Sequence, residues 1–108
     1  MSTKVLLVDD DPLVLNMLSD YLRQQGLEVI EAEDAFEGLE RLKKEKFDLL
    51  VTDIRMPRMT GIELIRRSKE YQPGLPAIIV SGEGTLSEAA EAVNLKVFHY
   101  LQKPLKDL

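Results

Sequence analysis

Four aliphatic residues in a row, Val5-Leu6-Leu7-Val8, stand between Lys4 and Asp9 near the start of the chain. An apolar run this short, bounded by charge, reads as a strand buried on both faces. Leu49-Leu50-Val51 and Ala77-Ile78-Ile79-Val80 read the same way. Glu28-Val29-Ile30-Glu31-Ala32 reads as a weaker strand suited to an edge. Val97-Phe98-His99-Tyr100-Leu101 is β-branched and aromatic, which suits a fifth strand. Between these runs the pattern turns helical. Leu13, Leu15, Leu18 and Leu22 are expected on one stripe, with Asp11 as N-cap, Pro12 in the first helical position and Gly26 as the stop. Asp34 and Glu37 have capping-box spacing and open a helix from Ala35 to about Lys44. Ile62, Leu64, Ile65 and Ser68 fall on a third helix after Gly61. Thr85-Leu86-Ser87-Glu88 opens a fourth, running to about Asn94.

Strand and helix thus alternate strictly. That order predicts a parallel sheet covered by helices and joined by right-handed crossovers. Five strands in one small domain favour an α/β, flavodoxin-like doubly wound sheet of order 2-1-3-4-5 over the Rossmann order. The alternation requires a fifth helix beside strand 5, yet only Leu105-Lys106-Asp107-Leu108 follow Lys103-Pro104. The expectation is therefore one domain, residues 1–108, that stops before or within its fifth helix and forms the N-terminal part of a longer protein.

Length and composition narrow the function. A chain of 108 residues suits one domain and is too short for two. Its 44% hydrophobic and 31% charged residues are the balance of an ordinary globular domain. A net charge of −5 argues against direct nucleic-acid binding, because a backbone binder needs a basic face. The lack of cysteine excludes disulfides, thiolate chemistry and Cys-based zinc sites, and His99 alone cannot build a His-rich metal site. No apolar run approaches a membrane span, and Met1-Ser2-Thr3-Lys4 carries no signal-peptide pattern. A cytoplasmic location with no membrane partner is expected.

Ligands of doubly wound sheets sit at the carboxyl ends of the strands. There the chain concentrates polar residues: Asp9, Asp10 and Asp11 after strand 1, Asp53 after strand 3, Ser81-Gly82 after strand 4 and Lys103-Pro104 after strand 5. If strands 1 and 3 are neighbours, Asp9, Asp10 and Asp53 converge and repel one another. A hard divalent cation removes that repulsion, and Mg²⁺ prefers one or two carboxylates plus a phosphate. Asp11 is expected to serve as a helix cap instead. Asp53 ends the most buried strand and is the candidate nucleophile, since an aspartate can accept a phosphoryl group as an acyl phosphate. Two anions must then approach, which requires a metal and an ammonium group. Lys103 supplies the ammonium, aimed inward by a turn at Pro104. The Ser81 hydroxyl and the Gly82 backbone N–H can each donate a hydrogen bond. Taken alone, Lys103 reads as a surface lysine and Ser81 as a turn cap; their joint placement carries the assignment.

Four motifs occur in order: Leu6-Leu7-Val8-Asp9-Asp10-Asp11, Asp53-Ile54-Arg55-Met56-Pro57-Arg58-Met59-Thr60-Gly61, Val80-Ser81-Gly82 and Tyr100-Leu101-Gln102-Lys103-Pro104. From Asp10 to Asp53 is 43 residues, then 28 to Ser81 and 22 to Lys103. Together they resemble the response-regulator receiver domains of two-component signalling, over residues 3–106. The resemblance implies that Asp53 takes its phosphoryl group from a phosphohistidine on a sensor histidine kinase or phosphotransfer protein. It implies that Asp10 ligates Mg²⁺ directly, Asp9 mainly through water, and Arg55 through its backbone carbonyl. Ser81 and Lys103 would hold the phosphoryl oxygens, and Tyr100 would turn inward as the switch residue when Ser81 moves. Arg55 and Glu83 flank the site at positions that tune the phosphoryl lifetime in this family. The expected product is a conformational signal to an output domain or downstream protein, with self-phosphorylation from small acyl phosphates and autodephosphorylation as the only catalysis.

The chain departs from the family in having Lys96-Val97 where Gly-Ala usually precedes the fifth strand, and in lacking a fifth helix. Family dimers and output contacts often use the face of helix 4, strand 5 and helix 5, so a homodimer is among the expected partners. Three other readings compete. A small Mg²⁺-dependent phosphohydrolase would also use Asp and Mg²⁺, but here the acid pair runs straight into Asp11-Pro12, the cap and first position of a helix. A nucleotide-binding domain would carry Gly-x-Gly-x-x-Gly or a Walker A sequence after a strand, and none occurs. A receiver-like interaction module that takes no phosphate would have lost site residues that are here intact.

Overall fold

The computed structural model describes residues 3–81 and 99–102, with side chains over residues 3–80. Along the chain lie β1 (Lys4–Val8), α1 (Pro12–Gln24), β2 (Glu28–Ala32), α2 (Ala35–Lys44), β3 (Leu49–Thr52), α3 (Gly61–Tyr71), β4 (Ala77–Ser81) and β5 (His99–Gln102). The strands form one parallel sheet in the order β2-β1-β3-β4-β5. This is the flavodoxin-like order that the alternation predicts, with the half-polar β2 at an edge.

Period-2 alternation divides the sheet's side chains between two apolar layers. Leu6, Val8, Leu50 and Ile79 share one layer with Leu39 and Leu42 of α2 and with Leu64 and Ile65 of α3. Val5, Leu7, Val51 and Val80 share the other with Leu15 and Leu18 of α1. The strands thus have apolar residues on both faces because helices cover both.

Local chemistry fixes the helix ends. The Asp11 carboxylate accepts a hydrogen bond from the Leu13 N–H at 3.0 Å, and Pro12 opens α1 as expected. Asp34 accepts from the Glu37 N–H at 2.8 Å. After α1, Gly26 adopts φ +87°, the left-handed conformation a helix stop favours. Thr60 caps α3 by accepting from the Glu63 N–H at 3.2 Å. The sequence offers this cap as Thr60-x-x-Glu63, a spacing of the same kind as the Asp34 box.

Leu13 is a correction: it is 80% exposed, whereas Leu15 and Leu18 are buried. Two residues advance the helix by roughly 200°, so Leu13 and Leu15 cannot share a face. The fourth helix over 85–94, the Lys96-Val97 departure and the missing fifth helix lie outside the described residues. So do Gly82, Glu83, Lys103 and Pro104. Strand 5 is described from His99, and the side chains of Ser81 and Tyr100 fall outside the description.

Candidate functional site

The register of β1 on β3 pairs Val5 with Leu49 and Val8 with Thr52. The next residue on each strand is an aspartate, so Asp9 and Asp53 leave neighbouring strands side by side. Backbone bonds hold both beyond the strand ends: Asp9 N–H donates to Ala32 O at 3.2 Å and Asp53 N–H to Val8 O at 3.0 Å. Asp9 is 2% exposed and Asp53 8%, while Asp10 faces solvent. Carboxylate oxygens of Asp9, Asp10 and Asp53 all lie within 4.8 Å of one another. The structure thus brings together the three carboxylates expected to meet, and leaves Asp11 as a cap.

Two buried or nearly buried carboxylates this close are costly unless hydrogen-bonded or neutralised. Hydrogen bonds do part of that. Asp9 Oδ1 accepts from the Asp11 N–H at 2.9 Å, and Asp53 Oδ1 from the Ile54 N–H at 2.7 Å. The set offers only hard oxygen donors, the chemistry that Mg²⁺ takes rather than Zn²⁺ or Cu²⁺. The carboxylates therefore fit a hard divalent cation.

The loop from Asp53 to α3 is rigidly seated. Ile54, Met56 and Met59 are buried and belong to the same apolar layer as Leu64. Gly61 N–H donates to Ile54 O at 2.8 Å, and the Thr52 hydroxyl donates to Asp53 O at 2.8 Å. A Cβ on Gly61 would stand 1.8 Å from the Asp53 carbonyl oxygen. The start of α3 thus presses on the Asp53 peptide, and only glycine leaves room. Arg55 is exposed two residues past Asp53.

The loop's crest is Arg58, at φ 71°. A non-glycine residue there costs about 1 kcal/mol. Its guanidinium donates to Asp34 Oδ2 at 3.2 Å and lies 4.8 Å from the Phe36 ring centroid. Exposed contacts of these kinds contribute at most about 1 kcal/mol each. Arg58 and Asp34 line a cleft of ≈ 310 Å³ together with Asp9, Asp10, Glu33 and Pro57. Neither the Gly61 contact nor the Arg58 contacts are visible in the sequence. Gly61 shows itself there only as a helix start, and arginine has no tendency to positive φ.

On the other side of β3, Thr52 pairs with Ile79. Ser81 ends β4 opposite Gln102 of β5, so Gly82 and Lys103 are the residues that follow two adjacent strand ends.

Comparison with known proteins gives one family. The sequence matches the response regulator receiver domain over residues 5–108. It is 42% identical over 101 residues to the transcriptional regulatory protein GlrR of Escherichia coli, covering 94% of this chain and 23% of that protein. It is 36% identical over 109 residues to the transcriptional regulatory protein FixJ of Bradyrhizobium diazoefficiens, covering 99% and 53%. The chain thus spans about a quarter to a half of the length of these relatives. Among solved structures, a CheY-like response regulator receiver domain protein from Methanospirillum hungatei superposes with a TM-score of 0.94 at 33% identity, covering 98% of this chain and 85% of that one. The chemotaxis protein CheY4 of Vibrio cholerae gives 0.90 at 30% identity, covering 98% and 90%.

Proposed function

The chain belongs to the response regulator receiver domain family, and from that premise we propose that Asp53 accepts one phosphoryl group beside Mg²⁺. It is a receiver domain of two-component response regulators, a signalling domain. The observation that carries the Asp53 reading is its placement. It is a nearly buried carboxylate at the end of β3, held by the Ile54 N–H and set within 4.8 Å of two further carboxylates.

The phosphoryl donor is a phosphohistidine on a sensor histidine kinase or phosphotransfer protein. An Asp53 carboxylate oxygen attacks phosphorus; the new O–P bond forms as the N–P bond breaks. The leaving imidazole nitrogen keeps the bonding electron pair and takes up a proton from solvent. When bound, Mg²⁺ held by Asp9, Asp10, Asp53 and the Arg55 carbonyl supplies the charge neutralisation that two meeting anions need. Lys103 pairs with the phosphoryl oxygens, and Ser81 and the Gly82 N–H donate to them. The buried Asp53 peptide, fixed by Val8, Thr52 and Gly61, keeps the nucleophile from turning away.

The acyl phosphate adds about −1.5 to −2 charges and three strong acceptors. Ser81 follows them, Tyr100 turns inward, and the face built on β4 and β5 changes shape for an output domain or partner, a second copy included. The opposite charges of Arg55 and Glu83, two residues past Asp53 and Ser81, set the lifetime by hindering the attacking water. The chain's net charge of −5 argues against a nucleic-acid contact of its own. The setting is the cytoplasm, with no membrane contact; among the described residues no helix is long and apolar enough to cross a membrane.

Intact mass after incubation with Mg²⁺ and a small acyl phosphate tests this. One added phosphoryl group, absent without Mg²⁺ and in Asp53→Asn, is expected. No addition on a folded chain would favour an interaction module that takes no phosphate, and repeated phosphate release would favour a hydrolase.

A further inference from the structure

Among the described residues, Arg58 is the cation that lines the acid cleft, and it sits there in an unfavourable backbone conformation. Arg58, at φ 71°, reaches across to Asp34 at 3.2 Å and lies over the Phe36 ring at 4.8 Å. It thereby links the loop after β3 to the first turn of α2. Asp34 already has a second task, accepting from the Glu37 N–H with its other oxygen. Arg58 and Asp34 line the same ≈ 310 Å³ cleft as Asp9 and Asp10.

We propose that the Arg58–Asp34 clasp is an electrostatic governor of the acid cleft: the guanidinium lowers the cleft's affinity for a divalent cation and Asp34 raises it. The clasp thereby sets how much Mg²⁺ the receiver needs before it can be phosphorylated. This rests on reading Asp9, Asp10 and Asp53 as the cation site. Arg58 touches neither phosphoryl donor nor cation in this role; it acts through its charge. A divalent and a single positive charge about 8 Å apart in water repel enough to weaken binding about sixfold unscreened, and about twofold near 0.1 M salt.

The test is a MgCl₂ titration of the full 108-residue chain, followed by the amide chemical shifts of the site, at low and at high NaCl. Arg58→Ala is expected to bind Mg²⁺ two- to sixfold tighter at low salt. Asp34→Asn, which keeps a capping side chain but loses the charge, should bind more weakly by a similar factor. Arg58→Lys should return to the unchanged protein's affinity, and all differences should shrink towards nothing in 1 M NaCl. A clasp that matters only by holding the loop in shape would weaken binding in both variants and keep its effect in high salt. That result, or an unchanged affinity in Arg58→Ala, overturns the proposal. Should Arg58→Ala fail to fold, Arg58→Gln removes the charge at nearly constant size and is read the same way. If the unchanged protein shifts no site amide with MgCl₂, the cation reading itself fails and the governor with it, an outcome distinct from binding that ignores Arg58.

Discussion

Gly61→Ala sets two physical effects against each other. A Cβ at position 61 would lie 1.8 Å from the Asp53 carbonyl oxygen, 2.8 Å from its carbonyl carbon and 3.0 Å from Thr52 Oγ1. Non-bonded heavy atoms rest near 3.5 Å, so the start of α3 and the Asp53 peptide must separate by more than about 1 Å. The opposing atoms are backbone, tied by Gly61 N–H to Ile54 O at 2.8 Å and by Asp53 N–H to Val8 O at 3.0 Å, and they cannot swing aside as a side-chain tip would. Forced overpacking costs about 1–3 kcal/mol, and rigid backbone places this case at or above the upper end. Helix propensity acts the other way, favouring alanine by up to about 1 kcal/mol. The net expectation is a loss of about 2 kcal/mol or more, a fall in Tm of roughly 8–16 °C for a domain of this size. Because the displaced peptide carries the proposed acceptor, Asp53, phosphorylation by a small acyl phosphate should slow even where the variant remains folded. Thermal unfolding by circular dichroism and the rate of mass addition read the two effects separately. A Tm equal to or above that of the unchanged protein, with an unchanged phosphorylation rate, would refute the steric reasoning.

Three other substitutions probe the scaffold. The Gln72 side chain accepts from Phe47 N–H at 3.0 Å and donates to the carbonyls of Leu42 and Glu45 at 2.9 and 2.7 Å; Gln72→Ala should cost about 1–3 kcal/mol in urea unfolding and leave Mg²⁺ affinity alone. The Ser19 hydroxyl is buried without a hydrogen-bond partner among the described residues, so Ser19→Ala should be neutral or stabilising by about 1 kcal/mol; a fall in Tm would contradict this. Hydrogen bonds from Arg67 and then Arg66 hold the Glu63 carboxyl below its usual range. A depressed carboxyl pKa contributes stability above the unfolded value and loses it as pH falls through the folded one. Glu63→Gln should therefore be less stable than the unchanged protein near pH 7, with the gap closing as pH drops below about 4; a gap that stays constant with pH would exclude the charge as its source.

The sheet order was legible because β1, β3 and β4 are aliphatic runs bounded by polar residues and the first two helices open on readable caps. Asp11 and Asp34 act where their spacing puts them, and Thr60 carries the same signal. The convergence of Asp9 and Asp53 followed from the order, since each simply continues a paired strand by one residue. What stayed hidden depends on contacts between segments remote in sequence. Gly61 is required for space against Asp53, and no local pattern reports an 8-residue-distant backbone collision. Gln72 ties the end of α3 to the end of α2 across 25 to 30 residues. Arg58 adopts a conformation its residue type does not favour, so only the fold reveals it. Leu13 shows the opposite error, an apolar residue placed on a stripe whose geometry excludes it.

The phosphoryl group is expected to reside on Asp53 as an acyl phosphate. Borohydride reduction converts a phosphorylated aspartate to homoserine, so peptide mapping after treatment with Mg²⁺, a small acyl phosphate and then borohydride reads the position directly. Homoserine at position 53 alone is the expected result. Homoserine at Asp9 or Asp10, or none at all on protein whose mass shows the added phosphoryl group, would contradict it.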